Sequence, residues 1–206
     1  MSEKASEFHR QTAQLLAVVG VNMPPLSTEE MQRWIDDPLG VKKVLAAAFA
    51  PVITVWRTIR IGVRKNIDAL RQAIKASGCD IGEWADAFLG KITLPSSSED
   101  VGLIKLSGRD LGFTDLYSLE EAIRAGESKG LARCQPYDMA YLAERYQDQP
   151  LGEVVYAAMD PVTGSDGNPD VFYLLRDDSR RWLYALCASP GSRWLPDSLW
   201  VFRSRK

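Results

Sequence analysis

Over the first fifty residues the apolar positions recur at the three-and-four spacing of helices. Gln11 to Val19 predicts an apolar helix, and Pro24-Pro25 breaks the chain after it. Ser27-Thr28-Glu29-Glu30 has the form of a capping box, in which Ser27 caps the next helix and Glu30 reciprocates. Met31, Trp34 and Ile35 share one face of that helix. Asp37-Pro38 ends it, because the residue before a proline is driven out of the α region. Val41 to Ala50 predicts a third helix, closed by Pro51. Residues 1–51 therefore read as a helical appendage without a core of their own.

From Val52 the pattern mixes period two with period 3.6. Val55 to Ile61 predicts a strand stopped by Gly62. Ile67, Leu70 and Ile74 predict a helix stopped by Gly78, and Asp80 is expected to cap a second, short helix carrying Ile81, Trp84, Ala85 and Phe88 on one face. Pro95 to Asp100 is a polar loop and Val101 to Leu106 a strand. Ser118 and Glu121 form another capping box, opening a helix to Ala125. Leu131 to Cys134 reads as a short strand, and Met139, Leu142, Ala143 and Tyr146 mark an amphipathic helix that ends before Pro150 and Gly152. Glu153–Met159, Val171–Arg176, Trp182–Cys187 and Trp200–Arg203 are four strands with turn-rich connectors, the pattern of an antiparallel meander. The expected fold is α+β: an N-terminal helical segment over 1–51, then a domain over 52–206 with a mixed α/β middle and a C-terminal antiparallel β-sheet.

Composition narrows the class. With 206 residues, 46% hydrophobic and 25% charged, the chain has enough apolar surface to fold without a metal or a disulfide. Cys79, Cys134 and Cys187 are odd in number and widely spaced, which fits neither a disulfide framework nor a metal knuckle. The first residues lack the basic start and apolar core of a secretory leader. The longest apolar run, Val44 to Trp56, contains Pro51 and falls short of the roughly 20 residues a spanning helix needs. A cytoplasmic protein with no membrane association is expected.

A net charge of −2 gives no general attraction to phosphate backbones. Locally, Arg57, Arg60, Arg64, Lys65, Arg71 and Lys75 form a basic stretch that could meet nucleic acid, and Arg193, Arg203, Arg205 and Lys206 a basic end. Leu70 to Leu89 has the layout of a helix-turn-helix. Its would-be recognition helix, however, offers Glu83, Trp84 and Asp86 where groove entry wants basic or amide side chains.

Histidine dominates general acid–base chemistry near neutrality, and His9 is the single one, so Ser-His-Asp and Cys-His mechanisms are not expected. Cys79 is the one conceivable activated thiol, and a small buried residue at a helix turn is its plainer role. Asp160 to Asp170 is turn-rich and reads as a hairpin loop. It fails the calcium-loop pattern because Val162, Gly164 and Tyr173 fall on ligand positions. Neither phosphate-binding glycine motif is present, and neither a cofactor nor a metal is expected. Trp182, Trp194 and Trp200 cluster with Tyr173, Tyr184 and Phe202. They form either the core of a small sheet or a surface that stacks on sugars or unstacked bases, helped by Arg181 and Arg193.

Several segments carry a resemblance: Met31 to Pro38, Ile81-Gly82-Glu83-Trp84-Ala85-Asp86 through Leu89-Gly90-Lys91, Tyr146-Gln147-Asp148-Gln149-Pro150, Ala158-Met159-Asp160-Pro161, Ser165-Asp166-Gly167, Val171-Phe172 and Trp200-Val201-Phe202. In these the chain resembles an uncharacterised family of small bacterial proteins, common in candidate-phylum genomes and without an established function. The resemblance covers most of the chain and implies a small stand-alone bacterial protein. It transfers no activity, cofactor or site residue.

The leading expectation is a non-enzymatic binding or interaction module, with a protein partner or self-association through the N-terminal helices. The alternative is a carboxylate-dependent hydrolase or nuclease, metal-assisted or not, using Glu153, Asp160, Asp166 and Asp170. A third is a nucleic-acid binder working through residues 57–75. The candidate ligand contacts across these readings are Arg57, Arg60, Arg64, Asp160, Asp166, Asp170, Trp182 and Trp194, and no catalytic residue is assigned.

Overall fold

A computed structural model describes residues 3–22, 25–48, 53–164 and 167–205, in two compact units, Met1–Val52 and Ile53–Lys206. In the first unit three helices form, α1 (Glu3–Asn22), α2 (Thr28–Asp36) and α3 (Pro38–Ala48). The capping box forms: the Glu30 N–H donates to Ser27 Oγ and the Ser27 N–H donates to Glu30 Oε2. Asp37 ends α2 and accepts from the Gly40 N–H at 2.8 Å, so one residue closes a helix and opens the next, with Pro38 at the start of α3, where proline loses no hydrogen bond. No residue of α2 is buried. Pro24, Ala50 and Pro51, assigned above to helix boundaries, lie outside the described residues.

The second unit runs β1 (Arg57–Ile61), α4 (Ile67–Ala76), β2 (Cys79–Ile81), α5 (Glu83–Leu89), β3 (Glu99–Ser107), α6 (Gly108–Leu111), α7 (Leu119–Ser128), β4 (Leu131–Ala132), α8 (Pro136–Arg145), β5 (Val154–Ala157), β6 (Val162–Thr163), β7 (Pro169–Arg176), β8 (Arg181–Cys187) and β9 (Leu199–Ser204). All the strands join one sheet in the order β1-β3-β9-β5-β7-β8-β2, with β4 paired to β9 and β6 to β7. The fold is α+β. The C-terminal strands β5, β7 and β8 pair antiparallel in sequence order. The last strand inserts between β3 and β5, antiparallel to the first and parallel to the second, so the middle and the C-terminus of the unit share one sheet.

Two local expectations are corrected. Asp80 does not cap a helix: it lies in β2, which pairs parallel to β8, and Gly82 holds the N-cap position of α5. The segment Leu70 to Leu89 is therefore helix, strand, helix, and the helix-turn-helix reading falls. Ile81 belongs to the strand, and Trp84 stands exposed on α5.

Alternation along the strands sorts the side chains into two faces. On one face Ile59, Val101, Leu103, Val201, Val155, Phe172, Leu174 and Leu183 are buried beneath α4, α5 and α8. Asp138 of α8, fully buried, accepts from Arg203 Nε at 2.6 Å and Nη2 at 2.7 Å, and also from the Gln135 N–H. Breaking such a buried pair typically costs about 3–5 kcal/mol, because the remaining charge has no partner. On the opposite face α6 and α7 cover β3, β4 and β9, and the α7 backbone at Gly126 comes so close to the Phe202 ring that a Cβ there would overlap it.

Candidate functional site

The register of the sheet places aromatic residues in a line. Trp200 of β9 pairs with Tyr156 of β5, Tyr156 with Tyr173 of β7, and Tyr173 with Tyr184 of β8. Being directly opposed, they share a face. Their ring centres are 5.5, 5.7 and 5.5 Å apart in that order. Trp182, two residues before Tyr184 and so on the same face, continues the line at 5.1 Å with its ring 12° from parallel. Trp200 is buried and donates its indole N–H to the Tyr117 hydroxyl at 2.8 Å, while Tyr156, Tyr173, Tyr184 and Trp182 are only half-buried. Within the second unit, α4, α5 and α8 pack on the opposite face of β7 and β8, over Phe172, Leu174 and Leu183.

Burial raises the pKa of the Tyr156 and Tyr173 hydroxyls, and neighbouring tyrosines add to the effect at Tyr173. The Tyr156 and Tyr173 hydroxyls are therefore uncharged around neutral pH. At its far end the Trp182 indole N–H donates to Asp177 Oδ2 at 2.7 Å, and the Arg180 guanidinium lies 5.6 Å above the Trp182 ring centre.

The connector from β8 to β9 folds over the other end. Trp194 is buried edge-on against Trp200, ring centres 5.2 Å apart, and reaches Tyr156 at 6.4 Å. Backbone hydrogen bonds with Tyr117 in both directions fix its position. An open cleft of about 460 Å³ lies between this connector and the sheet, with Tyr156 and Leu186 from the strands and Ser192, Arg193, Trp194 and Leu195 from the connector. This volume is within the usual range for small-molecule sites, and its lining mixes apolar side chains with Ser192, Arg193 and Ser198. A larger depression, about 680 Å³, lies near Val55, Gly102, Ser204 and Arg205, but it has no aromatic surface and mixes Glu99 and Asp100 with Arg203 and Arg205.

The other sequence-derived candidates are dispersed or occupied. Arg57 pairs with Asp148, Arg60 with Asp100, Arg64 with Glu144, and Arg71 with both Asp68 and Asp86. The four arginines of the basic stretch are thus each paired with an acid, most of them brought from elsewhere in the chain. Asp160 pairs with Arg133, and Asp170 is buried in β7. Asp166 lies outside the described residues. Among the described residues no group of three or more His, Cys, Asp or Glu side chains is placed to hold a metal ion.

Glu153 enters a network that sequence reasoning missed. Lys105 of β3 and Tyr146 at the end of α8 both donate to its carboxylate, Lys105 Nζ also donates to the Tyr146 hydroxyl at 3.1 Å, and the ammonium lies 4.5 Å from the Trp56 ring centre. Burial, then the hydrogen bond to Glu153, raises the Tyr146 pKa, so this hydroxyl stays protonated. The network ties α8 to β3 and β5, and its charges offset each other.

Arg181 is also corrected. Strand alternation puts it on the face opposite Trp182, buried, where it donates to the carbonyl oxygens of Ala143 at 2.9 Å, Tyr146 at 3.0 Å and Ser77. It thereby satisfies the C-terminal turns of α4 and α8 together. Cys79 is buried, its thiol pushed up to about 11 chiefly by that burial, which removes it as a nucleophile. Cys134 is buried as well, and Cys187 is exposed at the cleft.

Comparison of the chain with protein-family models, curated proteins and solved structures finds no match. No helix among the described residues is long and apolar enough to cross a membrane.

Proposed function

We propose that this chain is a non-enzymatic binding module whose ligand lies against the aromatic row of the open sheet face and enters the cleft beside Tyr156. The observation that carries the reading is the row itself: Tyr156, Tyr173 and Tyr184 half-buried in register on adjacent strands, with Trp182 stacked on Tyr184, on the sheet face opposite α4, α5 and α8. Large flat side chains on a rigid sheet bind planar or ring-shaped ligands at low entropic cost. The offset charges of the Lys105 network and the dispersed carboxylates argue against a hydrolase, and the paired arginines against a nucleic-acid binder. The free thiols suit a reducing compartment, and together with the resemblance to small bacterial proteins they favour a bacterial cytoplasmic setting.

A thermal-shift panel of oligosaccharides, single-stranded oligonucleotides and divalent cations tests this. A ligand at 100 times its Kd raises folding stability by about 2.7 kcal/mol. A shift produced by a ring-bearing ligand and lost in Tyr156→Leu supports the proposal. A shift confined to divalent cations, or one unchanged by Tyr156→Leu, contradicts it.

A second reading adds self-association through the N-terminal helices, because Trp34, Ile35, Leu39 and Val44 are exposed on α2 and α3. Light scattering would then show a dimer that Ile35→Lys returns to monomer, and a monomeric wild type would end this reading.

A further inference from the structure

We infer that the cleft beside Tyr156 takes a pyranose ring bearing one carboxylate, a hexuronic acid unit, and that Arg193 holds the carboxylate. This rests on the binding role proposed above. Tyr156, Leu186 and Leu195 line the cleft with the edge of Trp194, surfaces that suit the apolar face of a sugar ring. Arg193 stands exposed at the rim. Its Nη1 donates to the carbonyl oxygens of Pro190 at 2.8 Å and Ser192 at 2.9 Å, which orients the guanidinium, and among the described residues no carboxylate pairs with it. Glu121 is near enough to feel the Arg193 charge, but its Oε2 accepts from the Ser118 N–H and hydroxyl.

The count of charges selects the ligand class. A guanidinium fork matches one carboxylate with two parallel hydrogen bonds. A nucleic-acid strand repeats its charge at every phosphate and requires several cations in a line. The arginines elsewhere around this face are engaged, Arg180 with Asp80 and Arg109 with Asp197. A neutral sugar would offer Arg193 only hydroxyl acceptors, without the charge-assisted fork.

Calorimetric titration of the full chain with a uronic acid trisaccharide, its carboxyl-reduced neutral counterpart and a short oligothymidine tests the inference. The acidic trisaccharide should bind about tenfold more tightly than the reduced one, as a charge-assisted bidentate contact predicts. Arg193→Gln, an exposed position whose change spares the core, should abolish that preference, and Arg193→Lys should restore part of it. Equal binding of the two sugars, or a preference that persists in Arg193→Gln, would overturn the inference while leaving the binding role standing. Binding of oligothymidine alone would overturn it too, again without removing the aromatic platform. Absence of binding by all three probes, together with a silent thermal-shift panel, would remove both.

Discussion

Tyr173 on β7 and Tyr184 on β8 stand directly opposite each other, ring centres 5.5 Å apart and planes 29° from parallel. Gly82, at the start of α5, sits against the Tyr184 ring from the other side, so closely that a Cβ at this position would overlap ring carbons. Backbone geometry does not demand glycine here, since its φ of −68° suits any residue. The requirement comes from the ring.

Gly82→Ala is therefore a probe of the row. The new methyl should displace Tyr184, change the near-ultraviolet circular dichroism, and weaken ligand binding about tenfold, within the range of one lost stacking contact. The fold should lose only about 1 kcal/mol, the scale of one cross-strand pair. Unchanged affinity in a protein with a displaced Tyr184 would show that this end of the row does not touch ligand.

Arg181 should matter to stability and not to binding. Arg181→Met keeps much of the volume but leaves the Ala143, Tyr146 and Ser77 carbonyls unpaired, and the expected loss is about 2–4 kcal/mol by denaturant titration. Hydrogen exchange should accelerate first in the last turns of α4 and α8. A loss of ligand affinity larger than the loss of folded fraction would contradict this assignment.

Acid should destabilise the fold. Hydrogen bonds from the Ser179 hydroxyl, the N–H groups of Arg180 and Ser179 and the Trp182 indole hold the Asp177 pKa well below its ordinary value. Asp148 is lowered by Arg57 and Asp197 by Arg109. A carboxylate with a depressed folded-state pKa stabilises above its unfolded pKa, and that contribution is lost as pH falls through the folded value. Asp138 works in the opposite direction, because burial raises it. The melting temperature should stay level from pH 7 to about 5 and fall below about pH 4, the unfolded carboxylate range. Asp177→Asn should flatten part of that fall.

Of the three cysteines only Cys187 is exposed. A thiol reagent should therefore modify one group per native chain quickly, and Cys79 and Cys134 only on unfolding. Because Cys187 lines the cleft, its modification should also weaken ligand binding. Rapid modification of all three would mean that the sheet opens readily.

Most of the elements were legible in the sequence because they rest on local rules. Ser27 with Glu30 and Ser118 with Glu121 form capping boxes where their spacing predicts, and period-two runs become β3, β5, β7, β8 and β9. Non-local pairing was not legible. Nothing near Asp80 in the sequence shows that β8, a hundred residues later, makes it part of a strand. The alignment of Tyr156 with Tyr173 depends on register, which one residue of slip would destroy. Strand alternation alone would have moved Arg181 to the face opposite Trp182. The arginines from Arg57 to Arg71 looked like a patch because their acids, such as Asp148 and Glu144, lie far along the chain.

The aromatic row as a ligand surface is tested most directly by nuclear magnetic resonance of the 22.9 kDa chain, following aromatic ring signals during titration with the uronic acid trisaccharide and its reduced counterpart. The account predicts shifts concentrated at Tyr156, Trp194, Tyr173 and Tyr184, with Trp56 and Tyr146 in the Lys105 network unmoved. Shifts centred on that network or on α2 and α3, or no shift with either sugar at millimolar concentration, would contradict it.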